Sequence, residues 1–153
     1  MDYKMIENIV IESIENLKIT FHPSLVHWRV GAIRDGRGIP LAYIDARDVM
    51  RRLDGMLGAH NWQDKYQETP SGRIICSLGI RVGEEWIWKS DGAGATEFEG
   101  EKGAISDAFK RAAVKWGVGQ YLYGIKVGWI ELKNGKYMPD NFDGSKYLPE
   151  WKK

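Results

Sequence analysis

The chain has 153 residues, of which 43% are hydrophobic, and its 22 basic and 21 acidic residues give a formal net charge of +1. A chain of about 150 residues buries roughly two thirds of the surface of its unfolded state, so a single domain with its own core is expected. The apolar runs are far shorter than the roughly 20 residues that span a bilayer, and the acidic amino terminus is unlike an export signal, which predicts a cytoplasmic protein without a membrane partner.

The cysteine content and the charge distribution limit the kinds of site that the chain can form. A single cysteine, Cys76, excludes an internal disulfide framework and a cysteine-based zinc site, and its setting RIICSLGI favours a buried structural thiol. Residues 29–52 hold six arginines against three aspartates, whereas residues 84–101 hold six acids against one lysine. A local basic stripe can bind phosphates even on a nearly neutral protein.

The amino-terminal third of the chain predicts a helix, a strand and a loop. Residues 3–17 repeat apolar side chains at steps of three and four, with acids on the other faces, which predicts an amphipathic helix. Branched and aromatic residues over 26–30 predict a short strand. The glycine-rich segment 34–38, which Pro40 closes, predicts a flexible and mildly basic loop.

A second helix and a three-stranded meander follow along the chain. Residues 43–57 have helical periodicity, and Arg47 falls mainly on the outward side of that helix. Extended segments at 62–68, 73–82 and 85–90 are separated by Pro-Ser-Gly and Gly-Glu, which are turn signals suited to hairpins. These segments predict an antiparallel meander.

The carboxyl-terminal half contains a predicted loop and a predicted hairpin on either side of a third helix. Residues 91–100 carry three glycines and three acids, which predicts a mobile loop. Residues 126–132 and 136–138 predict a hairpin, because the intervening Asn134-Gly135 is the strongest short hairpin signal in the chain.

The third predicted helix, residues 102–116, carries the main functional signal. Its apolar residues recur at helical steps and form one stripe made of Ile105, Ala108, Phe109, Ala112 and Trp116. At about 100° per residue, Lys110 and Arg111 point well away from that stripe. Lys115 lies one turn after Arg111, and Lys102 lies near the edge of the stripe. The alanines allow another backbone to approach closely, so these cations would form a rigid array suited to a phosphate backbone.

The same charges also have an explanation that needs no ligand. They fit a solvated helix face on which Asp107 pairs with Lys110 or Arg111 at helical spacing. The glycine that follows the helix, Gly117, is explained by capping alone.

Two pairs of aromatic residues leave similar alternatives open. Tyr121 and Tyr123 follow the third helix among glycines, where they serve either base stacking or packing. Trp86 and Trp88 share one face of a predicted strand and serve either packing or a subunit contact.

Several segments together resemble one known family. The sequence SDAFKRAAVKWGVGQYLYG is similar to the signature helix of the Rad52/Rad22 family of single-strand annealing proteins, and above all to its short bacterial and phage branch of Sak-type and DdrA-like proteins. The likeness is colinear, since VHWR, YIDARDVMRRLDGMLG, NW, GEEWIWK and EKGAISDAFKRAAVKWG follow the order of the family over roughly residues 22–130. Agreement of several segments in the same order identifies a family far more specifically than a single glycine motif does.

This resemblance implies a fold and a mechanism. The family core is α+β, with a curved antiparallel β-sheet, here the three-stranded meander plus additional strands, packed on a central helix, and copies of it assemble into rings or helical filaments. Single-stranded DNA lies in a basic groove, so Lys102, Lys110 and Arg111 would contact phosphates while the bases stay free to pair. Residues 1–153 would form one annealing and oligomerisation domain with a C-terminal tail at 139–153.

The resemblance also implies two further groove residues and a set of partners. Eukaryotic relatives have a basic residue where this chain has Val114, beside Lys115, and a groove arginine where it has Asp48, beside Arg47; Lys115 and Arg47 are therefore carried over as DNA-binding residues. The expected partners are single-stranded DNA, further copies of the chain, a single-strand-binding protein and an exonuclease. No cofactor, metal or catalytic residue is expected, and the expected location is the nucleoid of a bacterial or phage-infected cell.

Annealing in homologous recombination and double-strand break repair is the function that the sequence favours, and two rivals stay open. A metal-dependent DNA nuclease would use acids such as Asp91, Glu101 and Glu131 to hold Mg²⁺. A module that protects DNA ends without annealing would use the same cations as an annealing protein.

Overall fold

The protein combines α-helices with antiparallel sheets, which confirms the predicted α+β class. The structure is a computed structural model that describes residues 2–93 and 100–151, but not the side chains of residues 100–102. The helices and strands are, in chain order, α1 (Tyr3–Glu15), β1 (Val26–Arg34), β2 (Arg37–Ile44), α2 (Ala46–Leu57), β3 (Trp62–Glu68), β4 (Ile74–Val82), β5 (Glu85–Ala93), α3 (Gly100–Lys115) and β6 (Ile130–Glu131). The chain divides into a first unit, Met1–Ile19 with Ala46–Val118, and a second unit, Thr20–Asp45 with Gly119–Lys153.

The sheet of the first unit is the predicted meander. Its strand order is β3-β4-β5, and both pairings are antiparallel without a register shift. Strand β5 continues to Ala93, so residues 91–93 belong to the sheet and not to the predicted loop. Residues 94–99 of that predicted loop lie outside the described residues. Because side chains alternate along a strand, one face of β4 is buried, through Ile74, Cys76, Leu78 and Ile80.

Helix α3 covers this buried face and contacts both β4 and β5. Its buried residues include four alanines, Ala104, Ala108, Ala112 and Ala113, together with Phe109. Small side chains at a contact let the helix axis come close to its neighbour. The Trp116 indole, also buried, donates a hydrogen bond to the Leu78 carbonyl at 3.0 Å, which links the end of the helix to the central strand.

Cys76 has the structural role that the sequence predicts. It is fully buried in the core of the first unit, and this burial raises the pKa of its thiol to about 11. The thiol therefore stays protonated near neutral pH and packs as a small apolar side chain, since the thiolate is the reactive form of cysteine.

Helix α1 forms as predicted but does not bury the predicted stripe. None of its residues is buried, and Ile6 and Ile9 are 44% and 49% exposed. The chain is anchored one turn later, where Leu17 is fully buried in a 3₁₀ turn and Arg52 donates a hydrogen bond to the Leu17 carbonyl. Helical periodicity identifies an apolar stripe, but it does not show whether the chain supplies a surface to cover it.

In the second unit, β1 and β2 form a hairpin where a loop was predicted. Asp35 and Gly36 have φ values of 53° and 75°, which match a tight turn of the type that joins two strands. The prediction of a flexible loop at 34–38 is therefore wrong. The second helix begins at Ala46 and not at residue 43, because Tyr43 and Ile44 still pair with β1.

The predicted carboxyl-terminal hairpin is present only in part. Asn134 and Gly135 have φ values of 53° and 69°, so the predicted turn is confirmed. Its ladder, however, is limited to a bridge between Lys133 and Tyr137. The two-residue strand β6 pairs with β2, which gives the sheet order β1-β2-β6.

A glycine ends α3 in a conformation that other residues adopt with strain. Gly117 has a φ of 103°, and its amide donates to the Val114 carbonyl at 2.9 Å while the Val118 amide donates to the Ala113 carbonyl at 3.1 Å. This pair of bonds is the Schellman pattern. A Cβ on Gly117 would also lie 2.8 Å from Cγ of Lys18.

We expect Gly117→Ala to lower the free energy of unfolding by about 1–2 kcal/mol, because alanine is strained at positive φ and crowds Lys18. Gly55 is the control, since it lies exposed inside α2 and a Cβ added there would have no neighbouring atom within 4 Å. Gly55→Ala should raise the same free energy by about 0.5–1 kcal/mol through helix propensity. Urea denaturation of both variants measures the difference, and equal effects of the two substitutions would contradict this account of the helix end.

Candidate nucleic-acid interface

The buried face of α3 determines where its cations lie. Lys110 is half-buried and Arg111 is exposed, so both lie outside the face formed by the buried alanines, as predicted. The predicted stripe is wrong at one position, because Ile105 is 43% exposed. The buried face is centred on the alanines rather than on the bulkier apolar residues, and Ile105 falls beyond its edge.

Lys115 ties the end of α3 to the edge strand β5. Its ammonium group donates a hydrogen bond to the Ser90 carbonyl, and Lys89 donates in return to the Lys115 carbonyl at 3.2 Å. The ammonium group of Lys89 also lies 4.6 Å from the ring centre of Trp116. These interactions hold two cations beside the edge of the sheet, and they give Lys115 a structural role that the sequence did not predict.

Arg111 lies beside a carboxylate of the same edge strand. Its Nε is 3.8 Å from Oδ1 of Asp91, and the two side chains are 47% and 31% exposed. Asp91 Oδ1 also accepts a hydrogen bond from the Gly92 amide at 2.7 Å, which fixes the carboxylate. An exposed ion pair contributes roughly 0–1 kcal/mol, so a phosphate group can replace Asp91 as the partner of Arg111 at little cost.

The structure brings together only part of the predicted site. Arg111 and Lys115 both reach β5, whereas Arg47 is exposed on α2, and the interactions that tie α3 to β5 do not involve it. Lys102 lies in the first turn of α3, but its side chain is outside the described residues. The role of each of the five residues in binding stays a prediction.

Lys89 is a cation at this site that the sequence reasoning missed. It is exposed, and the strand register places it on the same face as Asp91, toward the end of α3. The two-residue period of β5 carried the signal, since residues 87, 89 and 91 share a face. That signal became informative only once α3 was known to pack there.

Packing and base stacking were the two explanations offered for the tyrosines after α3, and the structure supports packing for Tyr121. The hydroxyl group of Tyr121 accepts a hydrogen bond from the Phe21 amide at 3.0 Å, so Tyr121 has a packing role in the second unit. Tyr123 is 67% exposed.

The acids proposed for a nuclease do not form a recognisable metal site in the part of the chain that the structure describes. Within residues 2–93 and 100–151, no three histidine, cysteine or acidic side chains are grouped as metal ligands would be. Asp91 contacts Arg111 and Gly92, Glu131 lies on β6, and the side chain of Glu101 is outside the described residues. Over the same residues, none of the helices combines the length and apolar character needed to cross a bilayer.

Comparison with protein families gives one match over most of the chain. Residues 11–141 match the family described as "Rad52/22 family double-strand break repair protein". The matched region includes α2, the whole β3-β4-β5 sheet and α3, so it contains all of the cations considered above.

Two curated relatives extend this comparison. The single-stranded DNA-binding protein DdrA of Deinococcus deserti is 32% identical over 147 residues, which cover 90% of this chain and 68% of that protein. The single-stranded DNA-binding protein DdrA of Deinococcus radiodurans is 30% identical over 141 residues, which cover 90% of this chain and 65% of that protein. The chain thus spans about two thirds of the length of these relatives.

The hydrogen bonds of Lys115 predict that it stabilises the fold more than Arg111 does. We expect Lys115→Met to lower the free energy of unfolding by about 1 kcal/mol, because methionine keeps the apolar stem but cannot donate a hydrogen bond to Ser90. Arg111→Met is the matched control on the same helix and should change this free energy by less than about 0.5 kcal/mol. Urea denaturation at low salt measures both, and a Lys115→Met variant as stable as the wild type would remove the structural role.

Proposed function

The chain belongs to the Rad52/22 family of double-strand break repair proteins, and we propose that it binds single-stranded DNA and pairs complementary strands without covalent chemistry. The observation that carries this proposal is the position of Lys110 and Arg111, outside the buried face of a helix that packs closely on β4 and β5. The names of the two DdrA relatives, both single-stranded DNA-binding proteins, support the choice of ligand.

Cations on a rigid helix suit a ligand with regularly spaced negative charges. Each phosphate that a lysine or arginine neutralises releases condensed counterions, and this release favours binding at low salt. Interactions with phosphates position a strand without reading its sequence, so we expect little sequence preference. A strand held by its backbone also keeps its Watson-Crick edges open to a complementary strand.

The proposal includes further copies of the chain as partners. Helix α3 of one subunit offers only a few cations. Several subunits bound to one polymer would convert such weak interactions into strong overall binding. A ring or a helical filament would supply the necessary length of basic surface. A single-strand-binding protein and an exonuclease stay predictions from the family resemblance.

One experiment separates annealing from both rival functions. Complementary labelled strands are incubated with the protein and Mg²⁺ or Mn²⁺, and both duplex formation and strand length are followed. Faster pairing of full-length strands supports annealing, whereas shortened strands support a nuclease. Protection of the strands from an added exonuclease without faster pairing supports an end-protecting module.

We expect Lys110→Ala/Arg111→Ala to weaken binding to single-stranded DNA by at least about tenfold at low salt, because the variant lacks two cations that neutralise phosphates. The plot of log affinity against log salt concentration should flatten by about 0.7 for each phosphate that is no longer neutralised. Fluorescence anisotropy over a salt titration measures both quantities.

The control removes two exposed cations elsewhere, Lys4 and Lys136. Its net charge therefore equals that of the Lys110→Ala/Arg111→Ala variant. Lys4→Ala/Lys136→Ala should bind nearly as well as the wild type. If the two double variants weaken binding equally, general charge and not the α3 surface determines binding.

The ion pair between Arg111 and Asp91 leads us to predict a variant with higher affinity for single-stranded DNA. Asp91→Asn should strengthen binding about two- to fivefold at low salt, because it removes a carboxylate that competes with phosphate for Arg111. The gain should fade as salt screens the interaction. Glu68→Gln, which removes one carboxylate from the same face of the sheet, is the control. Weaker binding of Asp91→Asn would show that the carboxylate orients Arg111 instead of competing for it.

A further inference from the structure

The β3-β4-β5 sheet sorts its charged residues by face. In these three strands, all of whose residues are described, the unbroken register places every carboxylate on the face that α3 covers, namely Asp64, Glu68, Glu85 and Asp91. The opposite face, here called the open face, carries Lys65, Ser77, Arg81, Trp86, Trp88 and Ser90. Its two charged residues are both cations and are both exposed.

The two tryptophans of the open face form a shallow aromatic surface. Their ring centroids are 6.3 Å apart with an angle of 32° between the ring planes, and both side chains are half-buried. The ring of Trp88 lies against Gly79, where an added Cβ would be only 2.8 Å from ring atoms. Because Gly79 has no side chain, the indole of Trp88 can lie close to the backbone of β4.

Each tryptophan of the open face has a cation near it. The ammonium group of Lys65, on β3, lies 4.4 Å from the ring centre of Trp88. Arg81 is directly opposite Trp86 in the β4-β5 ladder, and its Nε donates to the Gly83 carbonyl at 3.1 Å. A cation over an exposed ring is a weak interaction compared with a base stacked on that ring, so Lys65 can move aside to contact a phosphate.

We propose that the open face stacks the bases of single-stranded DNA on Trp86 and Trp88, with Lys65 and Arg81 beside the phosphates. Every nucleobase has a flat face, so aromatic side chains bind bases without sequence preference, and adjacent cations balance the backbone charge. The identity of the ligand rests on the proposed function, but the residues are separate from the cations of α3. The assignment adds a base-contacting surface to a protein whose α3 cations would contact only phosphates.

Charge complementarity favours a nucleic acid over a second copy of the chain on this surface. Protein-protein interfaces are enriched in tryptophan and arginine but depleted of lysine, so Lys65 is the residue of this surface that argues against a contact between copies. The open face places exposed cations at its aromatic pair and has no acid in its strands. A polyanion with flat bases matches both features at once.

The test compares binding of a normal oligonucleotide with that of an abasic one of equal length, which keeps the phosphates but offers no base to stack. Three variants of the full chain are measured by anisotropy: Trp86→Leu/Trp88→Leu, which keeps apolar bulk without an aromatic face; Trp86→Phe/Trp88→Phe, which keeps a ring; and Trp129→Leu, which changes an exposed tryptophan elsewhere. Circular dichroism checks that each variant is folded.

We expect the wild-type protein to prefer the normal strand by about tenfold or more, since stacking strengthens binding for each base held. The leucine variant should lose most of this preference, while the phenylalanine variant and the Trp129→Leu variant should keep it. If the leucine variant does not fold, the tryptophan fluorescence of the wild type is compared with that of Trp86→Phe/Trp88→Phe, which lacks only the two indoles of the open face. Normal but not abasic strands should quench the wild type and quench the phenylalanine variant less, and equal quenching of the two proteins would contradict stacking on this face.

The remaining outcomes overturn the proposal in distinguishable ways. Equal binding of normal and abasic strands by the wild type, or an unchanged preference in the leucine variant, rules out stacking on the open face and leaves the proposed function standing. A leucine variant that reduces the particle mass without changing the preference assigns the face to contact between copies. Binding of neither strand by the wild type rejects the proposed function itself.

Discussion

The close packing of α3 against β4 and β5 fixes the positions of the cations proposed to bind phosphate. Ala104, Ala108 and Ala112 are almost completely buried where the helix meets the sheet, so a larger side chain there would have to push the helix away. Overpacking of this kind typically costs about 1–3 kcal/mol. Because the helix cannot roll or slide freely, Lys110 and Arg111 stay outside the core, and the end of the helix stays within reach of Ser90.

The net charge of +1 conceals a separation of charge that the sheet produces. The carboxylates of the three strands share the face that α3 covers, where Asp91 lies beside Arg111, whereas the open face keeps two cations without an opposing acid. Side chains alternate between the two faces of a strand, so residues of opposite charge reach opposite faces without any distortion of the backbone. One short sheet thus has two faces of different charge.

Local periodicity predicted α3, the meander and the two tryptophans on one face, because each depends on residues close in sequence. The β1-β2 hairpin was missed although Asp35-Gly36 is a strong turn signal, because the glycine-rich segment 34–38, closed by Pro40, was interpreted as a flexible loop. The register shifts between Val30 and Ile33, opposite Pro40, and such an irregularity tolerates a residue without an amide donor. The exposure of α1 and the position of Lys89 beside α3 depend on interactions between distant segments, which no local pattern contains.

The proposed annealing activity requires binding that is reversible. A strand must be held long enough to be presented and then released as a duplex, so interactions that are individually weak and numerous suit it better than a few strong ones. The proposed phosphate binding on α3 and the proposed stacking on the open face share one property, because both would leave the hydrogen-bonding edges of the bases free. A protein that read those edges would compete with the complementary strand, whereas one that holds backbones and ring faces lets base pairing itself decide which strands join.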